Sequence, residues 1–200
     1  MAQLAIVSTN AAEGKDVHLR IRNKPPNDVD IVWYRGEGTR KNRVIAFLSK
    51  ELRKHIKGPA HTGRERIYDD GSMLLKRVSM KDAGMYTVVI YLQDYKKEIG
   101  FGRLNVYDPL LKARVVASNT TVTENKDAVV LTCYTNAVSV QWLFNGMNLR
   151  LREHMKLSKD HRRLTINPVK REDAGNYQCE VSNPIRSMES WPLTLDVKSE

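Results

Sequence analysis

Apolar and polar residues alternate in short runs along most of this chain. Val17-His18-Leu19-Arg20-Ile21 and Leu193-Thr194-Leu195-Asp196-Val197 alternate cleanly, and Val129-Val130-Leu131-Thr132-Cys133 more loosely. Period two is the pattern of strands with one buried face. Turn-forming residues break the runs at Ala12-Glu13-Gly14, Gly36-Glu37-Gly38, Asp69-Asp70-Gly71 and Asn145-Gly146. One window that tempts a helix, 48–57, stops at Gly58-Pro59 and is read as an irregular sheet edge. Short strands, frequent turns and few amphipathic windows predict an all-β sandwich architecture. Val106-Tyr107 closes a strand-like run and Pro109 cannot extend a ladder, so Asp108-Pro109 marks the expected joint between domains 1–107 and 108–200.

The two halves repeat one phrase, Asp82-Ala83-Gly84-Met85-Tyr86 in the first and Asp173-Ala174-Gly175-Asn176-Tyr177 in the second. In the second half Cys133, Trp142 and Cys179 stand in order, the cysteines 46 residues apart. That spacing matches an immunoglobulin domain, in which a disulfide joins the facing sheets and a tryptophan packs on it. Tyr177, two residues before Cys179, fits the tyrosine corner, and Asp173 stands where such domains pair an acid with an arginine. The first half keeps Trp33, Asp82 and Tyr86 but has Ile21 and Val88 at the cysteine positions. Two branched aliphatic residues keep the hydrophobic contact and give up a crosslink typically worth about 2–4 kcal/mol. Arg64 is the expected partner of Asp82. From Trp33 to Tyr86 is 53 residues, and from Trp142 to Tyr177 only 35. The longer interval has room for the C′ and C″ strands of a variable-type domain. The reading is two tandem immunoglobulin-like β-sandwiches, variable-type without a disulfide, then constant-like or intermediate with Cys133 bonded to Cys179. A paired set of cysteines points to an oxidising, extracellular compartment.

Composition fits this reading: 41% of the residues are hydrophobic, enough for a modest core in each half. No apolar run approaches the roughly 18 residues that span a bilayer. Met1-Ala2-Gln3 reads as a start placed before a mature domain, so the expectation is an ectodomain fragment attached to a membrane only through an anchor outside it. The net charge is +10 and uneven, with 20 Lys+Arg against 12 Asp+Glu in residues 1–107 and 13 against 11 in the rest. Arg35, Arg40, Lys41, Arg43, Lys50, Arg53, Lys54 and Lys57 cluster within 35–57. This stripe is either a solvated sheet face with loops or a docking surface for acidic glycans. No nucleic-acid motif accompanies it, so nucleic acid is not an expected partner.

Chemistry is sparse. The five histidines show no metal-ligand spacing, and no nucleophile elbow or glycine-rich phosphate loop occurs. The chain is therefore expected not to be an enzyme and to need neither metal nor cofactor. Arg35-Gly36-Glu37 reads as a turn after strand C, and Arg162-Arg163 as a solvated loop. Asn119-Thr120-Thr121 is the only N-glycosylation sequon, expected on the first strand of the second domain.

Residues across the whole chain resemble the carcinoembryonic-antigen-related cell adhesion molecules, a family that includes the pregnancy-specific glycoproteins. In the first domain the similarity lies in Ala12-Glu13-Gly14-Lys15, Trp33-Tyr34-Arg35-Gly36-Glu37, Gly58-Pro59-Ala60-His61-Thr62-Gly63-Arg64-Glu65 and Gly71-Ser72-Met73-Leu74-Leu75. In the second it lies in Asp127-Ala128-Val129, Leu131-Thr132-Cys133, Cys179-Glu180 and Asn183-Pro184. The resemblance implies adhesion or recognition at the cell surface, through the C-C′-F-G face of the first domain. Partners in the family are a second copy or another cell-surface protein, and several members serve as pathogen receptors. Carried over position by position, it implies partner contacts at Tyr34, Arg43, Val44, Phe47, Val89, Tyr91, Lys97 and Ile99. Val44 stands where a glutamine is common, and Lys97 and Ile99 where polar and acidic residues are. Strand alternation, with Trp33 and Val88 inward, independently turns Tyr34, Val89 and Tyr91 outward, with Arg43, Ile45, Phe47 and Ile99 beside them. A second reading, drawn from the basic residues of 35–57, is a secreted matrix-structural or glycan-binding glycoprotein, and the resemblance also admits a secreted immunomodulatory one.

Overall fold

The structure, a computed structural model, describes residues 2–200, and Met1 lies outside them. The chain divides into two compact units, one ending at Asp108 and one beginning at Pro109. Asp108 thus closes the first unit instead of opening the second.

The first unit runs β1 (Ala5–Ile6), β2 (Thr9–Ala12), β3 (Val17–Leu19), β4 (Ile21–Arg22), β5 (Asp28–Arg35), β6 (Val44–Ser49), β7 (Lys54–Lys57), β8 (Glu65–Ile67), β9 (Met73–Leu75), β10 (Gly84–Leu92) and β11 (Lys97–Tyr107). One sheet has six strands in the order β2-β11-β10-β5-β6-β7, the facing sheet is β3-β9-β8, and β1 pairs with β4. In immunoglobulin letters these are A′-G-F-C-C′-C″ against B-E-D, the variable-type arrangement. The window that tempted a helix is the end of β6, a turn and the edge strand β7.

Between the sheets lies a core containing Leu19, Ile31, Trp33, Met73, Tyr86, Val88 and Leu104, with Ile21 packed against it. The two aliphatic residues at the cysteine positions therefore serve one hydrophobic cluster. The Trp33 indole donates to the Gly71 carbonyl at 2.8 Å. Glycine spacing on β11 has a steric cause: a Cβ on Gly102 would sit 2.4 Å from the Ile6 carbonyl oxygen, so β1 can cross there only over a bare backbone.

The Gly58–Glu65 run works as a clamp beneath the sandwich. Glu65 Oε1 accepts from the Thr62 N–H at 2.9 Å, the Thr62 hydroxyl at 2.7 Å and the Arg64 N–H at 3.2 Å. Arg64 in turn grips Asp82 through two bonds of 2.9 and 2.8 Å, as expected. Arg35 adds a third at 3.2 Å, to the oxygen that Arg64 Nη2 also holds, and its guanidinium lies over the Tyr86 ring. Arg35 is thus an internal ion-pair member rather than a turn residue or part of a solvated stripe. Burial raises the Asp82 pKa, but the bonds from Arg64, Ser79 and Arg35 outweigh it and hold the carboxyl at about 2. Tyr86 donates to the Asp82 carbonyl at 2.7 Å, and its burial pushes the phenol up to about 12.

The second unit runs β12 (Ala113–Ala117), β13 (Thr121–Thr123), β14 (Val129–Thr135), β15 (Ser139–Phe144), β16 (Met147–Asn148), β17 (Met155–Leu157), β18 (Arg163–Ile166), β19 (Gly175–Asn183), β20 (Arg186–Glu189) and β21 (Leu193–Lys198). Its sheets are β12-β14-β18-β17 and β13-β21-β19-β15-β16, with β20 also on β19. A two-residue C′ strand and no C″ strand make it the shorter type. Cys133 and Cys179 form the disulfide, Cα atoms 6.2 Å apart, in a core with Trp142, Leu131 and Tyr177. The tyrosine corner recurs, Tyr177 donating to the Asp173 carbonyl at 2.7 Å.

Three expectations for this unit need correction. Asp173 meets no arginine: the residue just before β17 is His154, whose Nε2 lies 2.7 Å from Asp173 Oδ2. Arg162 is a strut rather than a solvated loop residue, its guanidinium donating to the Thr135 and Ala137 carbonyls at 3.0 and 2.8 Å. Asn119 lies in the exposed turn between β12 and β13, not on a strand, and its Oδ1 accepts from the Thr121 N–H at 3.0 Å.

Candidate functional site

The outward face of the six-stranded sheet is unusual for a solvated surface. An antiparallel sheet with one face on the core normally turns polar residues outward. Here Val32, Tyr34 and Val89 form a buried apolar cluster on the outer side, with Val44, Phe47 and Tyr91 packed around it. Strand register explains the clustering. Ile56, Phe47, Val32, Val89 and Ile99 stand opposite one another across β7, β6, β5, β10 and β11, one continuous apolar row. Val44, Tyr34, Thr87 and Phe101 make the next row, and Asp30, Tyr91 and Lys97 the row on the other side. Directly opposed side chains on one face touch, so the rows pack as ridges.

Seven of the eight expected contact residues are brought together in these rows. Arg43 instead belongs to a short 3₁₀ turn, Lys41–Arg43, that leads into β6 at the margin. Depth separates the rest. Val89 is only 1% exposed and Tyr34 7%, so they form the floor of the face, whereas Ile99 at 41% stands open. Burial raises the Tyr34 phenol pKa, and neighbouring Tyr91 adds to it. Thr87, the polar residue of the floor, is fully satisfied, donating to the Gly36 carbonyl at 2.7 Å and accepting from the Gly38 N–H at 3.0 Å.

Ile45 corrects the alternation. The register slips between Trp33 and Tyr34, so Trp33 faces Ala46 while Tyr34 faces Val44, and Ile45 between them turns into the core with no exposure. A bulge of this kind inverts side-chain parity along the bulged strand. Sequence reasoning also missed Val32, Ile56 and Phe101. Val32 and Phe101 stand two residues from Tyr34 and Ile99, so the same alternation contains them. Ile56 depends on the β6–β7 register, for which the sequence carries no signal.

The basic stripe divides in the folded unit. Arg35 is committed to Asp82, and Lys50 Nζ lies 2.6 Å from Asp28. Arg53, Lys54, His55 and Lys57 remain exposed on and beside the edge strand β7, and Arg40, Lys41 and Arg43 are exposed at the β5–β6 connection. Among the described residues no histidine, cysteine or carboxylate cluster is arranged to hold a metal.

An immunoglobulin V-set domain model matches residues 7–107, and an immunoglobulin domain model matches 112–183. Mouse cell adhesion molecule CEACAM15 is 36% identical over 188 residues, which cover 93% of this chain and 80% of that protein. The chain belongs to the carcinoembryonic-antigen-related cell adhesion molecule family. Mouse cell adhesion molecule CEACAM5 is 41% identical over 202 residues, covering 99% of this chain and 21% of that protein, so this chain spans about a fifth of its length. Among solved structures, murine CEACAM1b superposes with a TM-score of 0.87 at 37% identity, covering 98% of this chain and all of that one. A murine receptor crystallised with a mouse coronavirus receptor-binding domain gives 0.83 at 36%, again over 98% of this chain and all of that one. In this chain Gly58–Glu65 is the clamp that anchors Asp82, and the apolar rows run across strands G, F, C, C′ and C″.

Proposed function

We propose that this chain is an extracellular recognition module that adheres by docking the outward face of its first sheet onto another protein, in the simplest case a second copy. One observation carries the reading: an apolar cluster sits on the outer side of a sheet that has already buried a full core on its inner side. Aromatic and aliphatic residues ringed by Arg43, Lys97 and Asp30 have the composition of an interface centre and its polar rim. Val32, Tyr34 and Val89 form a preorganised floor, and Phe47, Ile56, Ile99 and Phe101 are the side chains a partner meets. Adhesion in the named mouse relatives supports the class of function, and the receptor–virus complex supports protein rather than small-molecule recognition. Sedimentation equilibrium tests the self-recognition form. The wild-type chain is expected to rise above its 22.9 kDa monomer mass with concentration, and Ile99→Asp with Phe101→Asp to remain monomeric. A wild-type chain that stays monomeric at every concentration would exclude self-recognition and leave a different protein as partner.

A second reading has its own observation, the free basic edge at Arg53, Lys54, His55 and Lys57, whose chemistry fits a sulfated glycan such as heparan sulfate. Binding of that kind weakens steeply with salt because exposed charges are screened beyond about 8 Å at physiological ionic strength. Lys54→Glu with Lys57→Glu should then elute from immobilised heparin at clearly lower salt. Unchanged elution would remove this reading and leave the apolar face untouched.

A further inference from the structure

The chain contains its own control for an unexplained cavity in the second unit. The two tyrosine corners are equivalent residue by residue. Tyr86 pairs across strands with Arg35 and Val88 with Trp33; Tyr177 pairs with Phe144 and Cys179 with Trp142. Arg64 and His154 each stand immediately before the strand that enters the D position, at β8 and β17. In the first unit both oxygens of Asp82 are taken. Oδ2 accepts from Arg64 and from the Ser79 N–H, and Oδ1 accepts from Arg64 at 2.8 Å and from Arg35 at 3.2 Å.

In the second unit both guanidinium groups are gone. Phe144 replaces Arg35 and packs against Tyr177 in a tilted contact, ring centroids 4.9 Å apart, but a phenyl ring donates no hydrogen bond. His154 replaces Arg64 and, with the Lys170 N–H, serves only Oδ2. Asp173 Oδ1 is left without a partner on a residue that is 1% exposed. A buried carboxylate oxygen without a donor is costly, and native structures rarely tolerate one. Asp173 also lines a cavity of about 310 Å³, whose walls include Phe144, Met147, Leu149, Met155 and Tyr177. The cavity is on the side from which Arg35 reaches Asp82 in the first unit, since Phe144 occupies the Arg35 position and lines it.

We propose that this cavity binds an arginine side chain supplied by another polypeptide, the Phe144 ring that now closes off Asp173 Oδ1 turning aside so that the guanidinium donates to that oxygen as Arg35 does to Asp82. The aliphatic stem would lie along Met147, Leu149 and Met155, and the planar head beside Phe144 and Tyr177, a favourable setting for a delocalised cation. Exposed Arg150 and Arg152 also line the cavity, with Arg152 3.9 Å from Glu172. These two cations repel a bare guanidinium and favour one that carries a carboxylate a stem-length away, as a C-terminal arginine or an arginine beside an acid does.

Titration of the full chain with three probes, followed by backbone amide chemical shifts, tests this. Nα-acetyl-L-arginine should shift Phe144, Asp173 and Tyr177 saturably, in the roughly millimolar range expected of so small a ligand. Nα-acetyl-L-lysine, a point charge without the fork, should bind at least tenfold more weakly. Free L-arginine, whose α-ammonium meets Arg150 and Arg152, should likewise be at least tenfold weaker. Phe144→Arg, which restores the first unit's arrangement, should abolish the response and raise the unit's melting temperature. Should that variant not fold, His154→Arg is expected to block the site in the same way. No saturable shift, or an equal response to the lysine probe, would overturn the proposal. So would a response seen only in Arg152→Ala, because the chain's own Arg152 would then be the occupant. Equal binding of free arginine would overturn the polypeptide source.

Discussion

Asp82 and Asp173 show how much a single carboxylate depends on its neighbours. Asp82 is buried and charged because two arginines and a backbone N–H surround it, so its removal or theirs leaves an unpaired ion. Arg64→Ala is expected to destabilise the first unit by about 3–5 kcal/mol, read from urea unfolding. The pH dependence has a definite sign. A folded-state pKa of about 2 lies below the ordinary 3.8, so the stabilisation is complete above pH 4 and is lost as pH falls through 2. About 2 kcal/mol should disappear over that window, and Asp82→Asn should flatten the profile. An Asp82→Asn profile as steep as wild type would show that another group is responsible. The Asp82–Arg64 pair was legible in the sequence because spacing from the tyrosine corner fixes it. Arg35 was not, since a charged residue before a glycine turn looks solvated until the fold bends it over Tyr86.

Strands are where sequence alternation works and where it fails. It orients β5, β10 and β11 correctly, because Trp33 and Val88 are anchored to the core and every second residue follows. Along β6 the bulge shifts parity, and Ile45 goes inward while Val44 goes out. Ile45→Ala should therefore cost about 2–5 kcal/mol of stability with no specific effect on partner binding. Val44→Ala should cost less than about 1 kcal/mol and weaken partner binding instead. Parallel unfolding and binding measurements on the two variants decide this, and the reverse assignment would place Ile45 on the outer face. The edge strand β7 is the other illegible element. No turn motif sets its register, and only the paired strands bring Ile56 opposite Phe47.

At the scale of the molecule, two copies of one fold are stabilised by different means. The first unit packs Ile21 and Val88 in a core without a crosslink, and the second closes a 46-residue loop with Cys133–Cys179. Reduction should cost the second unit about 4 kcal/mol in the chain-entropy description and leave the first unchanged. Calorimetry with and without reductant should show one transition moving and the other fixed. Movement of both would mean that the first unit draws stability from the second. The repeated landmarks made the two-sandwich architecture readable, because each residue has a fixed packing duty. The outward apolar rows were only partly readable, because they arise from pairing across five strands in two groups, β5–β7 and β10–β11, that lie far apart in sequence.

The most direct test of the recognition face is adhesion itself. Beads coated with the chain should adhere to one another or to cells bearing the partner, and Ile99→Asp with Phe101→Asp should abolish adhesion while melting at the wild-type temperature. Tyr134→Ala, an exposed aromatic on the second unit, serves as the matched control and should adhere normally. Undiminished adhesion by the folded double variant would contradict a recognition role for the outward face.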